Sequence, residues 1–86
     1  MARLPALIDE STEKANAPKV LREVESLMPY AASPSEKIGL SLAKANAYAM
    51  QGEDKQSCDV VDTIKDRGAS TPWAEKISLM VKQCAP

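Results

Sequence analysis

Ser33-Pro34-Ser35-Glu36-Lys37-Ile38-Gly39-Leu40-Ser41-Leu42-Ala43-Lys44-Ala45-Asn46-Ala47-Tyr48-Ala49-Met50-Gln51-Gly52 contains a helix start, a helix body and a helix stop. Ser33 to Glu36 spell a capping box with proline at the first helical position. The Ser33 hydroxyl can accept from the Glu36 amide, while the Glu36 side chain reaches back. Gly52 supplies the left-handed residue that ends a helix. Between them, Ile38, Leu42, Ala45 and Ala49 form one apolar row and Leu40, Ala43, Ala47 and Met50 another. A helix apolar on more than one side is sandwiched between neighbours. The spacing predicts a helix over 34–51 at the centre of an all-α domain.

Working outward, four more helices follow from the same signals. The first is expected over 4–14, with Pro5 tolerable in its first turn. The second is expected over 17–28, after Asn16 as N-cap and with Pro18 just inside. Its stripe is Val20, Leu21, Val24, Leu27 and Met28, and Pro29 ends it. The fourth is expected over 54–67, burying Ser57, Val60, Val61 and Ile64, with Gly68 as its C-cap. The fifth is expected over 72–84, after Thr71, with Trp73, Ile77, Met80, Val81 and Cys84 inward. Short connections make consecutive helices antiparallel neighbours. The 86 residues suffice for one domain with a marginal core. Its aromatic residues are Trp73, Tyr30 and Tyr48, with no Phe, so that core is aliphatic.

Part of the central helix recurs. Glu36-Lys37-Ile38-x-Leu40 returns as Glu75-Lys76-Ile77-x-Leu79, each after a hydroxyl-proline start, at an offset of 39. Val20-Leu21…Val24 likewise matches Val60-Val61…Ile64 at an offset of 40. A two-helix unit of this length points to stacked helical hairpins, an α-solenoid fragment. Chance likeness of amphipathic helices is the alternative, and with it an irregular five-helix bundle.

Ala45, Tyr48, Gly52 and Ser57 occupy the small, aromatic, glycine and small places that centre a tetratricopeptide repeat, and Ala17, Leu21 and Pro29 fit the preceding unit's second helix. The chain therefore resembles about two units of that family. It departs in its period of 39 to 40, where the family has 34, and in Ser41, where the family has a bulky residue.

Cys58 and Cys84 are the only cysteines. With helices four and five antiparallel, Cys58 falls level with about Met80 to Cys84, a register that allows a disulfide. Closing a loop of about 26 residues would stabilise the fold by roughly 3 kcal/mol. Two buried free thiols are the alternative, and a redox pair a third, though no Cys-x-x-Cys spacing supports it. A disulfide would place the protein in a periplasm or outside the cell, free thiols in the cytoplasm.

Charge and composition exclude several functions. The formal net charge is −1 with both signs interspersed, so no basic stripe exists for nucleic acid. No apolar run approaches the length of a membrane span. Asp9 and Glu10 interrupt the opening residues too soon for a secretory leader; an already cleaved leader or a longer natural N-terminus stays open. There is no histidine, which removes His-based acid–base catalysis, His-activated nucleophiles and most zinc sites. Ser11-x-x-Lys14 and Ser41-x-x-Lys44 match an acyl-enzyme spelling without its supporting motifs, and read as solvated helix positions. Asp59, Asp62 and Asp66 on the fourth helix read as a solvated face, paired in part with Lys55, Lys65 and Arg67. No enzyme activity, cofactor or metal is expected.

What is left is a module that holds a protein or peptide partner. Stacked hairpins would present a concave side from helices one, three and five. Lys44, Asn46, Tyr48 and Lys82 are the candidate contacts there. Trp73 is either core packing or an exposed binding anchor. The alternative is an assembly subunit, or a self-associating domain of a larger secreted or periplasmic protein.

Overall fold

The computed structural model describes residues 2–84. Its five α-helices are α1 (Leu4–Glu10), α2 (Ala17–Leu27), α3 (Pro34–Met50), α4 (Asp54–Ile64) and α5 (Ala74–Cys84). Three 3-10 turns, Lys14–Asn16, Met28–Tyr30 and Gly68–Ser70, lie between them, and no strand occurs among the described residues.

α3 forms as its sequence requires. Ser33 is extended and its hydroxyl accepts from the Glu36 amide at 3.2 Å. The reciprocal bond lands one residue earlier than a strict capping box, with the Ala32 amide donating to Glu36 Oε1 at 2.7 Å. At the far end Gly52 has φ +78°. The Gly52 amide donates to the Ala49 carbonyl at 3.0 Å and the Glu53 amide to the Tyr48 carbonyl at 2.9 Å. That pair of bonds is a Schellman closure, which satisfies carbonyls the helix end would otherwise leave without donors.

Several helix ends differ from expectation. α1 stops at Glu10 rather than residue 14. The Ser11 hydroxyl donates to the Ile8 carbonyl at 2.5 Å and the Thr12 hydroxyl to the Asp9 carbonyl at 2.7 Å. Such back-bonding competes with the helical ladder, and by Glu13 the chain is extended. Asn16 is not a cap: its backbone is helical, and its amide donates to the Glu10 carbonyl at 3.4 Å and to Glu13 Oε2 at 3.3 Å. α4 ends at Ile64 rather than residue 67, and Gly68 is not a left-handed cap, since Gly52 is the positive-φ glycine among the described residues. Gly68 is needed for room instead, because an added Cβ would collide with Ile77 Cδ1. α5 begins at Ala74 rather than residue 72. Thr71 stays extended, its hydroxyl donating to the Gly68 carbonyl at 2.7 Å and accepting from the Trp73 amide at 3.2 Å.

The core is aliphatic. Leu4, Leu7 and Ile8 of α1, Val20 and Val24 of α2, Val61 and Ile64 of α4, and Ile77 and Met80 of α5 converge around α3. Both apolar rows of α3 are used: Ile38, Leu40, Leu42, Ala43, Ala45 and Ala47 are all buried. Val60, expected to be buried, is only half-buried, as are Trp73, Val81 and Cys84. Ser57 is buried and donates to the Ala45 carbonyl at 2.8 Å, so its hydroxyl enters the core with a partner.

Named contacts set the helix directions. Leu4 of α1 meets Gly39, and Ser11 just past α1 meets Asn46, so α1 and α3 run parallel. Ser57 at the start of α4 bonds to Ala45 late in α3, and Cys58 is bonded to Cys84 at the end of α5, so both of those pairs run antiparallel. The Cys58–Cys84 disulfide, with Cα atoms 5.6 Å apart, joins α4 and α5 where the register placed it. The two copies of the recurring motif fare differently. Leu40 is 0% exposed on the central helix, whereas Leu79 is 55% exposed on α5.

Candidate functional site

The face of α3 that remains open carries Lys37, Ser41, Lys44 and Tyr48. Their spacings of four, three and four place them on one line along the helix, about 16 Å long at 1.5 Å per residue. Lys37 is exposed and the other three are half-buried. Contacts identify what flanks this line. Lys44 shares a groove of about 240 Å³ with Val24, Glu25, Met28 and Pro29 at the end of α2. Lys37 and Ser41 share a second depression with residues of α4. The open line of α3 therefore lies between α2 and α4, whereas helices one, three and five were expected to line the exposed side together.

The candidate residues consequently divide. Lys44 and Tyr48 come together: Lys44 Nζ stands 6.0 Å from the centre of the Tyr48 ring, at the outer limit of a cation–π contact. Asn46 lies on the opposite side of α3. Its amide donates to the Ser11 hydroxyl at 3.0 Å, and Ser11 is fully buried. Asn46 thus satisfies a polar group beneath the end of α1.

Trp73 also serves packing. Its Nε1 donates to the Ser35 carbonyl at 3.2 Å, and its ring lies against Gly39. Gly39 and Tyr48 are nine residues apart, about 13 Å along the helix axis, so Trp73 does not join the Lys44–Tyr48 groove. Lys82 is exposed near the end of α5, about 13 Å along that helix from Trp73.

Two arrangements escaped sequence reading. One is the groove itself, whose floor comes from Val24 and Met28 and whose lip is Pro29. Pro29 was legible as a helix stop, and its position over Lys44 depends on how α2 packs on α3. The other is a charge cluster that binds the chain before α1 to α2. Arg3 Nε donates to Glu23 Oε2 at 2.6 Å and Arg3 Nη1 to Glu10 Oε2 at 2.6 Å, while Nη2 reaches the second oxygen of each carboxylate at 3.0 Å. These hydrogen bonds hold both carboxyl groups below their ordinary range and raise the guanidinium. Lys19 Nζ adds a looser contact to Glu10 at 3.9 Å.

The acidic face of α4 has one ion pair among the described residues, Asp62 to Lys65 at 3.2 Å, and no group of side chains there could hold a metal ion. No helix among the described residues is long and apolar enough to cross a membrane. No family model matches the chain, and neither the curated proteins nor the solved structures hold a match to it.

Proposed function

We propose that this domain is a non-enzymatic interaction module that holds a peptide or partner helix along the open line of α3. The observation that carries the reading is half-buried Lys44, with the Tyr48 ring beside it, in a groove it shares with apolar Val24, Met28 and Pro29 and with Glu25. An aromatic ring and a lysine stem next to an aliphatic floor offer contact area with one polar handle, the composition of a binding hot spot. The missing histidine argues against an enzyme. Antiparallel neighbours and the Gly52 turn support a tetratricopeptide-like hairpin pair, with α5 as a closing helix. The disulfide supports a periplasmic or extracellular setting.

The test compares partner capture by the wild-type domain with capture by Tyr48→Ala and Met28→Ala variants of unchanged helicity. The reading expects the same partner to be lost from both variants and retained by Lys82→Ala. Capture that survives both substitutions refutes it.

A second reading, self-association, has its own observation: Leu79 on α5 is 55% exposed and Tyr30 is 78% exposed. Sedimentation velocity over a hundredfold concentration range decides it. A concentration-dependent dimer abolished by Leu79→Glu supports assembly, and a monomer throughout removes it.

A further inference from the structure

The depression beside Ile38 and Ile64, between α3 and α4, is lined by two cationic side chains, Lys37 and Arg67. It encloses about 200 Å³. Its floor is Ile38 and Ile64, which are 4% and 3% exposed. Lys37 and Ser41, one helical turn apart on α3, form one wall, and Thr63 of α4 with Arg67 in the turn that follows it form the other. No carboxylate lines it among the described residues, in a chain that carries 12 acidic side chains against 11 basic ones.

Among the described residues no carboxylate lies within ion-pair distance of Lys37 or Arg67. Arg67 Nη2 donates to the Thr63 carbonyl at 3.2 Å, which holds the guanidinium over the end of α4 and leaves most of its five donors free. Lys37 stands in the first turn of α3, where the helix macrodipole disfavours a cation, so helix stability does not account for it. Ser41 is the reason the depression is open, since its side chain is the smallest on the walls.

We infer that this cleft seats a carboxylate-bearing side chain of the bound peptide, so that the partner is an acidic segment with aliphatic residues flanking its acids. This deepens the proposed function and rests on it for the peptide nature of the ligand; the preference for an anion stands on the cleft alone. The volume decides against a larger guest. Pockets for drug-sized molecules span about 300–1,000 Å³, and this one holds a side chain. The carboxylate lies between Lys37 and the Arg67 fork, the Ser41 hydroxyl donates to it, and the aliphatic stem covers Ile38 and Ile64, while the Thr63 hydroxyl stays bonded to the Val60 carbonyl at 2.7 Å. Lys44 continues the positive line of α3 toward the groove it shares with Val24, Glu25, Met28 and Pro29, so an extended segment crossing both places sets its acids in the cleft and its aliphatic residues beside Glu25.

The experiment is an amide chemical-shift titration of the intact, oxidised domain. The probes are a blocked tetrapeptide with two glutamates between leucines, its glutamine counterpart, and inorganic phosphate. The expected result is saturable shifts at residues 35–41 and 63–67 with the glutamate peptide. The glutamine peptide should bind about fivefold more weakly, the value of two exposed charge pairs. Phosphate should shift the same amides more weakly, because it lacks the stem. The double variant Lys37→Gln/Arg67→Gln should bind both peptides equally. Ser41→Leu, which fills the cleft and favours helix, should abolish the shifts at 63–67.

Equal binding of the two peptides by wild type overturns the inference, as does binding that survives Ser41→Leu. Shifts confined to residues 24–29 and 44–48 overturn it while leaving the proposed function standing. Phosphate shifts at the cleft with no response to either peptide keep the anion site and overturn the peptide reading. No shift with any of the three overturns both.

Discussion

Removing the Cys58–Cys84 bridge is the most quantitative test of the fold. The bridge joins residues 26 apart in sequence and pins the end of α5 to the start of α4. Closing a loop of that size lowers the entropy of the unfolded chain by about 12 cal/mol/K, or about 3.5 kcal/mol at 25 °C. A domain of 86 residues has a total stability of about 4–13 kcal/mol, so the bridge accounts for a large share of it. At about 4–8 °C per kcal/mol, the Cys58→Ala/Cys84→Ala variant should melt about 14–28 °C below wild type.

The measurement is thermal unfolding by circular dichroism of wild type and variant at equal concentration, with native-state hydrogen exchange alongside. Exchange adds the spatial half of the argument. α5 packs chiefly on α4 and exposes Leu79, so its amides should lose protection first, while those of α3 stay protected to the global limit. A drop in Tm below about 5 °C with α5 protection intact would show that the bridge closes a loop already ordered in the unfolded chain, refuting the entropic reasoning.

Three further outcomes are expected. Gly39→Ala places a Cβ 2.6 Å from Leu4 Cδ2 and 2.7 Å from Trp73 Nε1; overpacking of about 1–3 kcal/mol outweighs the gain of about 1 kcal/mol in helix propensity, and tryptophan emission should shift as the ring is displaced. A more stable variant with unchanged emission would mean that α1 and α5 do not close on Gly39. Gly52→Ala meets no atom within 4 Å but must hold φ +78°, so chemical denaturation should show a loss of about 1 kcal/mol from backbone strain alone, and Gly52→Asn a smaller one; equal stability of all three would refute a left-handed requirement. In acid, Glu10 and Glu23 bind protons less readily folded than unfolded, because Arg3 donates to both. Their contribution is present above their ordinary pKa of 4.5 and lost as pH falls through the lower folded values, so Tm should fall below about pH 5 in wild type and fall less in Arg3→Gln. Parallel Tm–pH curves for the two would show that the cluster does not form in solution.

What could be read without coordinates was local or register-based. Ser33 and Glu36 are three residues apart, and the turn at Gly52 lets the Gly52 and Glu53 amides bond carbonyls three and five residues before them, so the start and stop of α3 follow from neighbouring residues. The Cys58–Cys84 pairing followed from two antiparallel helices of known rise. The same reasoning overran α1, because helix propensity cannot register the Ser11 hydroxyl turning back on the Ile8 carbonyl, and it read Gly68 as a cap although that glycine lies against Ile77.

Other features depended on partners far along the chain. Asn46 bonds to Ser11 across 35 residues, Trp73 to Ser35 across 38, and Arg3 to Glu23 across 20. No local spacing signals any of these pairings. Packing gave Asn46 and Trp73 partners within the fold, and it assembled the cleft of Lys37, Ser41, Thr63 and Arg67 from α3, α4 and the turn after α4. The helices and the staple were set by the amino-acid sequence through spacing and register. Which face of α3 meets solvent was decided only when α1, α2, α4 and α5 competed to cover its apolar rows, leaving Lys37 exposed and Ser41, Lys44 and Tyr48 half-buried along the open line.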